Sequence, residues 1–195
     1  MDYPRFWKTA SLRRKRIYSI IFVLILSIVA TLVGMLVPLS PQEAQVVFDQ
    51  LNQTITENTA QGTFVPAIFV NNFSLCLLMF IPLAGLAIGL FILFSTGMAI
   101  RAIFDVQMAS GLSGTASAEI QASTAIFALV LIGAVFLLEY VSYAIGMTES
   151  VWLFRRILQK QWKGEFKYFA IFVGVVALLL IIGAIVETYT ITMGL

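Results

Sequence analysis

Histidine is missing altogether, cysteine occurs once, and only 11% of the 195 residues are charged. Without imidazole the chain can hold no histidine metal site, no Ser-His-Asp triad and no histidine proton relay. Cys76 alone cannot close an intrachain disulfide, and its place inside an apolar run makes it a buried small hydrophobe. No phosphate loop, paired-carboxylate constellation or metal-ligand set accompanies these absences. The chain therefore reads as a non-enzyme with no cofactor. The basic residues flank apolar stretches and belong to no nucleic-acid motif, which excludes nucleic-acid binding.

Apolar residues fill the space that charge leaves. Hydrophobic residues make up 60% of the sequence, against roughly 45–50% in soluble domains, and the mean hydropathy is +0.96. A soluble fold of this length cannot cover so much apolar surface with so few charges, so lipid is the expected solvent. Residues 17–37 carry no charge and match a hydrocarbon core of roughly 30 Å. This stretch is too long for the h-region of a signal peptide, and no small-x-small site follows it. Ser40-Pro41-Gln42-Glu43 has the pattern of a capping box with proline at the first helical position. Ala44, Val47, Phe48, Leu51 and Ile55 then recur at helical spacing, predicting an amphipathic helix over about 41–57 on the membrane surface or on neighbouring helices.

Between Glu57 and Arg101 there is no charge, too long an interval for one ordinary span. Pro82, Gly85 and Gly89 interrupt it and predict a tight hairpin of two helices, about 66–83 and 87–105, rather than one kinked helix. The small residues from Asp105 to Ser123 suggest a loop folded back on the protein. Further spans are expected at 122–145, with helical character continuing to about Ile157, and at 168–189. The whole is one all-α domain over 1–195, a polytopic bundle of about five transmembrane helices plus an outer amphipathic helix.

Charge distribution orients it. Arg5, Lys8, Arg13, Arg14, Lys15 and Arg16 form a basic head, and Arg155, Arg156, Lys160, Lys163 and Lys167 a second cluster. Five spans place these eleven on one side and Arg101 alone on the other; one span over 66–105 would split them seven to five. Positive residues near membrane ends favour the cytoplasm, so the reading is a multi-pass cell-membrane protein with its N-terminus cytoplasmic and its C-terminus outside. Phe6, Trp7, Trp152, Trp162 and Tyr168 are suited to the headgroup interface. The cluster around Arg155 also suits contact with anionic lipid.

Within the spans, Glu139 requires explanation, because a carboxylate at membrane depth costs about 2.5–3.5 kcal/mol on insertion scales and needs a partner or a proton. Glu139, Ser142, Tyr143, Gly146, Glu149 and Ser150 recur at three- and four-residue spacing and form one polar, small-residue stripe. The stripe suits either helix packing or a cation, proton or ligand site. Glu139 and Glu149 are ten residues apart, roughly 15 Å along a helix, and cannot act on one bond. Asn71 and Asn72 are candidates for capping or interhelical hydrogen bonds, and Gly85, Gly89 and Gly97 for close helix packing. Arg101 and Asp105 are expected to pair, and Glu187 to be solvated near the outer interface.

The run Phe69-Val70-Asn71-Asn72-Phe73, the Gly85 and Gly89 turn and Leu93-Phe94-Ser95-Thr96-Gly97 together resemble the stage II sporulation protein M family. The later segment from Leu138 to Gly146, a glutamate followed by small residues, looks similar as well. The resemblance covers roughly 65–157. The family often has His-Gly before that glutamate, where this chain has Leu131-Ile132-Gly133-Ala134-Val135, and Thr96 stands where Asn is common. The resemblance implies a multi-span protein without its own catalysis; namesake members hold peptidoglycan-degrading partners at the membrane during sporulation. Function is thus expected to be that of a membrane scaffold or accessory subunit, in contact with the bilayer and with protein partners or further copies of itself. A transporter or permease component using Glu139 is the alternative.

Overall fold

The computed structural model describes residues 9–109 and 122–192, which form six helices: α1 (Leu12–Met35), α2 (Pro41–Gln61), α3 (Phe64–Met79), α4 (Ala84–Ala109), α5 (Ala122–Leu158) and α6 (Trp162–Thr192). Four of them, α1, α4, the Leu129–Leu158 part of α5 and α6, are long and apolar enough to cross a membrane, while α3 is a shorter apolar helix. Large apolar side chains such as Phe22, Phe91, Leu137 and Ile185 point outward. That is the arrangement lipid requires and water penalises.

Local chemistry sets several boundaries. Ser11 accepts the Arg14 N–H at 3.4 Å and starts α1 before the uncharged stretch. Arg13 to Arg16 therefore lie on the helix rather than in a head ahead of it. The capping box forms as its spacing predicts: the Glu43 N–H donates to Ser40 Oγ at 3.3 Å and the Ser40 N–H donates to Glu43 Oε2 at 2.9 Å. The Ser40 hydroxyl, and then its N–H, hold the Glu43 carboxyl below its ordinary value. Ala44 is buried, Val47 and Phe48 are half-buried, and α2 packs on α4.

The hairpin is present, but its turn differs from expectation. It occupies 80–83, with Leu83 in the left-handed region at φ 69°, and α4 begins at Ala84. Gly85 and Gly89 are helical. They serve close approach rather than the turn: a Cβ on Gly85 would strike the Met79 carbonyl, and one on Gly89 the Met147 side chain. The N–H groups of Phe80, Ile81, Ala84 and Gly85 all find nearby carbonyls, and Pro82 has none to place. Past Gly97, α4 continues to Ala109, so residues 105–109 are helical where a loop was expected; the rest of that loop lies outside the described residues.

Contacts along α5 give the direction of every other apolar helix. On α3, Asn72 meets Glu139 and Cys76 meets Ser142, so α3 runs with α5. Gly85 meets Ser150 and Gly89 meets Met147, so α4 runs against it. Arg16 lies by Glu149 and Thr31 by Tyr140, so α1 also runs against it. The turn through Gln159 and Lys160 folds α6 back antiparallel, bringing Glu165 to Arg156 and Gly183 to Leu138.

Helices α1 and α4 meet at paired small residues. A Cβ on Gly34 would collide with the Phe94 carbonyl oxygen, and one on Gly97 with the Thr31 carbonyl oxygen. Thr31 Oγ1 also lies 3.2 Å from the Leu93 carbonyl and 2.7 Å from Tyr140 Oη. Its single proton faces carbonyls, which only accept, so Tyr140 is the donor in their bond. In lipid, where apolar side chains gain little by leaving one solvent for another, such close contacts are what join helices. Gly34→Val and Gly97→Val are each expected to cost roughly 1–3 kcal/mol, seen as lowered thermal stability in detergent. Gly133→Ala, at a position with no neighbour within 4 Å, is expected to leave it unchanged.

Candidate functional site

The polar stripe of α5 divides into three parts. At one end Glu139 Oε1 accepts a 2.6 Å hydrogen bond from Asn72 Nδ2, and Asn71 Nδ2 donates to Asn72 Oδ1 at 3.2 Å. Because α3 starts at Phe64, both asparagines are interior to it and neither caps it. Asn72 bonds across helices, while Asn71 is exposed. Glu187 of α6 is half-buried rather than solvated, and it joins Glu139, Phe136 and Thr190 in lining a cavity of about 190 Å³ between α5 and α6.

The middle of the stripe is closed. Every residue from Ser142 to Ser150 is buried. Ser142 Oγ donates to its own helix at Leu138 O, 2.7 Å away, and the Ser142 carbonyl accepts from Cys76 Sγ at 3.5 Å. A Cβ on Gly146 would come within 3.2–3.3 Å of Met79, Phe80 and the Cys76 carbonyl. Tyr143 lies in the apolar core cluster with Met79 and Met147. Gly146 serves packing by being small, and the Ser142 and Ser150 hydroxyls are satisfied within the helix.

At the other end Glu149 joins an ionic cluster. Arg16 Nη1 of α1 lies 3.6 Å from Glu149 Oε2, and Arg16 Nη2 hydrogen-bonds to Glu165 Oε2 of α6. Arg156 Nε is 3.0 Å from Glu165 Oε1, an ion pair whose N–H is not aligned for a hydrogen bond. The Arg16 guanidinium also lies 5.3, 5.1 and 5.9 Å from the ring centres of Trp152, Tyr168 and Phe172. These rings and helices leave the Arg16 side chain 12% exposed and those of Glu149 and Glu165 5% and 13% exposed. Glu149 Oε1 is buried without a hydrogen-bond partner.

Glu165 is the functional-looking residue that pattern reading misses. It is the one acid among the basic residues from Arg155 to Lys167, and that isolation is its only sequence signal. Outside this cluster, Arg101 and Asp105 pair as expected, at 2.8 Å. Among the described residues no group of three or more acids or cysteines is placed to hold a metal ion. Glu139 and Glu149 stand on an unbroken helix with the closed seam between them.

No protein-family model matches the chain, and no curated protein and no solved structure matches it significantly.

Removing Arg16 strands the Glu149 carboxylate and leaves Glu165 with Arg156 alone. Arg16→Ala is expected to cost about 3–5 kcal/mol, read as thermal unfolding of the full chain in detergent. Adding Glu149→Gln to that variant should restore part of the loss, since Glu165 keeps Arg156 and no carboxylate of the cluster is then unpaired. A loss no larger than that of Lys163→Ala would show that Arg16 does not hold the helices together.

Proposed function

We propose that this chain is a non-enzymatic, multi-pass membrane scaffold or accessory subunit, similar in kind to stage II sporulation protein M. The observation that carries the reading is the buried seam from Ser142 to Ser150 on α5, which separates two polar clusters without a shared cavity. The cavity beside Glu139 and those around Trp152 have no lining residue in common. Arg16, Glu149 and Glu165 are spent on one another and Glu139 bonds to the Asn72 amide, so the two ends are not strung along a path. A chain of this kind works by presenting surface to partners, whether other proteins or further copies of itself.

The alternating directions of α1, α3, α4, α5 and α6 support five crossings, with the short α3 completing the hairpin. Arg16, Arg155, Arg156 and Lys163 gather at one end, which the charge rule assigns to the cytoplasm; α2 and Arg101 then lie outside. Since the single native cysteine is fully buried, introduced cysteines report topology directly. Lys160→Cys is expected to react with a membrane-impermeant maleimide only from the cytoplasmic side, and Glu57→Cys only from outside. Labelling of Lys160→Cys from outside would overturn the orientation.

One observation favours transport instead: Glu139 and Glu187 face the same cavity from adjacent helices. The two readings separate on Glu139→Gln. A scaffold keeps its co-purifying partners in mild detergent and shows no solute flux in proteoliposomes, before or after the change. A transporter shows flux that the change abolishes. A monodisperse monomer without companions counts against the scaffold.

A further inference from the structure

The cations at the basic end of the bundle are not equivalent. Arg16 and Arg156 are committed to Glu149 and Glu165. Lys15 and Arg155 face each other across the groove between α1 and α5, and among the described residues neither has an acid partner. Together with Leu12, Trp152 and Gln159 they line a cavity of about 160 Å³. A second cavity of about 390 Å³ lies next to it, toward the apolar middle of α1, and shares Trp152 and Arg155 with the first. Its walls are mainly apolar, formed by Phe22, Val23, Leu86 and Val151. Thr148 also lines it, 1% exposed, and its hydroxyl has no hydrogen-bond partner.

We propose that this groove binds one anionic phospholipid, with its phosphate between Lys15 and Arg155 and one acyl chain in the cavity below. The shape of the site is that of an amphiphile: an unneutralised cationic mouth, a buried unpaired hydroxyl one level down, and an apolar slot beneath. Thr148 is placed to donate to a glycerol-linkage oxygen, which would remove the cost of its unsatisfied hydroxyl. Basic pockets between membrane helices are suited to such headgroups. A free phosphate would leave the lower cavity unused. An acidic peptide would carry backbone groups into a slot that offers them few partners. The cavity on the other side of α1 has a similar apolar wall, but two of its three arginines, Arg16 and Arg156, are already paired with the Glu165 carboxylate that lines it.

The full chain, purified in mild detergent and titrated with phosphatidylglycerol or phosphatidylcholine, tests this by native mass spectrometry. One phosphatidylglycerol per chain is expected to be retained, favoured about tenfold over phosphatidylcholine. Lys15→Gln with Arg155→Gln should bring the two lipids to parity. Lys163→Gln with Lys167→Gln, the same change in net charge outside the groove, should leave the preference intact. Val151→Phe should expel the lipid while keeping both cations, and Ser19→Leu serves the same purpose if Val151→Phe does not fold; thermal unfolding in the same detergent checks each variant. Equal retention of both lipids, or equal loss in the Lys163/Lys167 variant, would sink the proposal. So would displacement of the lipid by millimolar inorganic phosphate, which would mark a free-anion site.

Discussion

Arg16 is where three helices are tied together, and the rest of the bundle depends on that tie. It sits on α1, pairs with Glu149 on α5 and Glu165 on α6, and lies against aromatic rings from both. Three charges held this far from solvent are costly apart, so separation of α1 leaves Glu149 without a cation. Surface pairs have no such leverage: Arg101 and Asp105, within one helix and more exposed, add little. With the basic end of α1 pinned, its far end is directed onto α4, where Gly34 and Gly97 allow the two backbones to touch.

That second contact explains why α4 and α3 can be held although α3 is short. Sixteen residues reach about 24 Å, less than a hydrocarbon core. The 80–83 turn lies at the level of Phe169 and Ser150, with Phe80 buried and Ile81 and Leu83 exposed. The N–H groups of Phe80, Ile81, Ala84 and Gly85 find nearby carbonyls, and Gly85, Gly89 and Gly146 let the hairpin lie close to α5. The glycines thus do at the hairpin what Arg16 does at the basic end, replacing a hydrophobic driving force that lipid does not supply.

What was legible in the sequence was local or additive. The Ser40–Glu43 capping box is a four-residue signal and forms as written. The hairpin follows from summing charge over the chain, which requires no knowledge of packing. The far end of α5 was legible too, expected near Ile157 and found at Leu158, but other helix ends were less so, because Ser11 starts α1 ahead of the apolar stretch and α6 begins at Trp162, ahead of its uncharged core. Glu165 was invisible because its partner lies 149 residues away, and no local pattern encodes a pairing at that separation. The cavity that Glu187 shares with Glu139 was not legible, because it depends on which face of α6 meets α5. Ser27, Thr31 and Gly34 carried a readable signal, small residues at helical spacing on one face of α1, and their burial against α4 and α5 shows its meaning.

The polar stripe on α5 shows how one pattern can hold three physical situations. Its spacing reports only that the residues share a face. Whether a member is a packing contact or a charged centre depends on what the other helices bring to that level. At the middle α3 brings Cys76 and Met79, so Ser142 and Gly146 are useful for being small. At one end α1 brings a guanidinium, so Glu149 is useful for its charge. At the other end α3 brings an amide and α6 a second carboxylate, so Glu139 has a hydrogen bond but no cation among the described residues. A neutral amide offsets less of the desolvation of a carboxylate than an ion pair does. Glu139 and Glu187 are therefore the acids in the bundle whose charges are least compensated, and a proton or a cation supplied from outside the chain would stabilise them most.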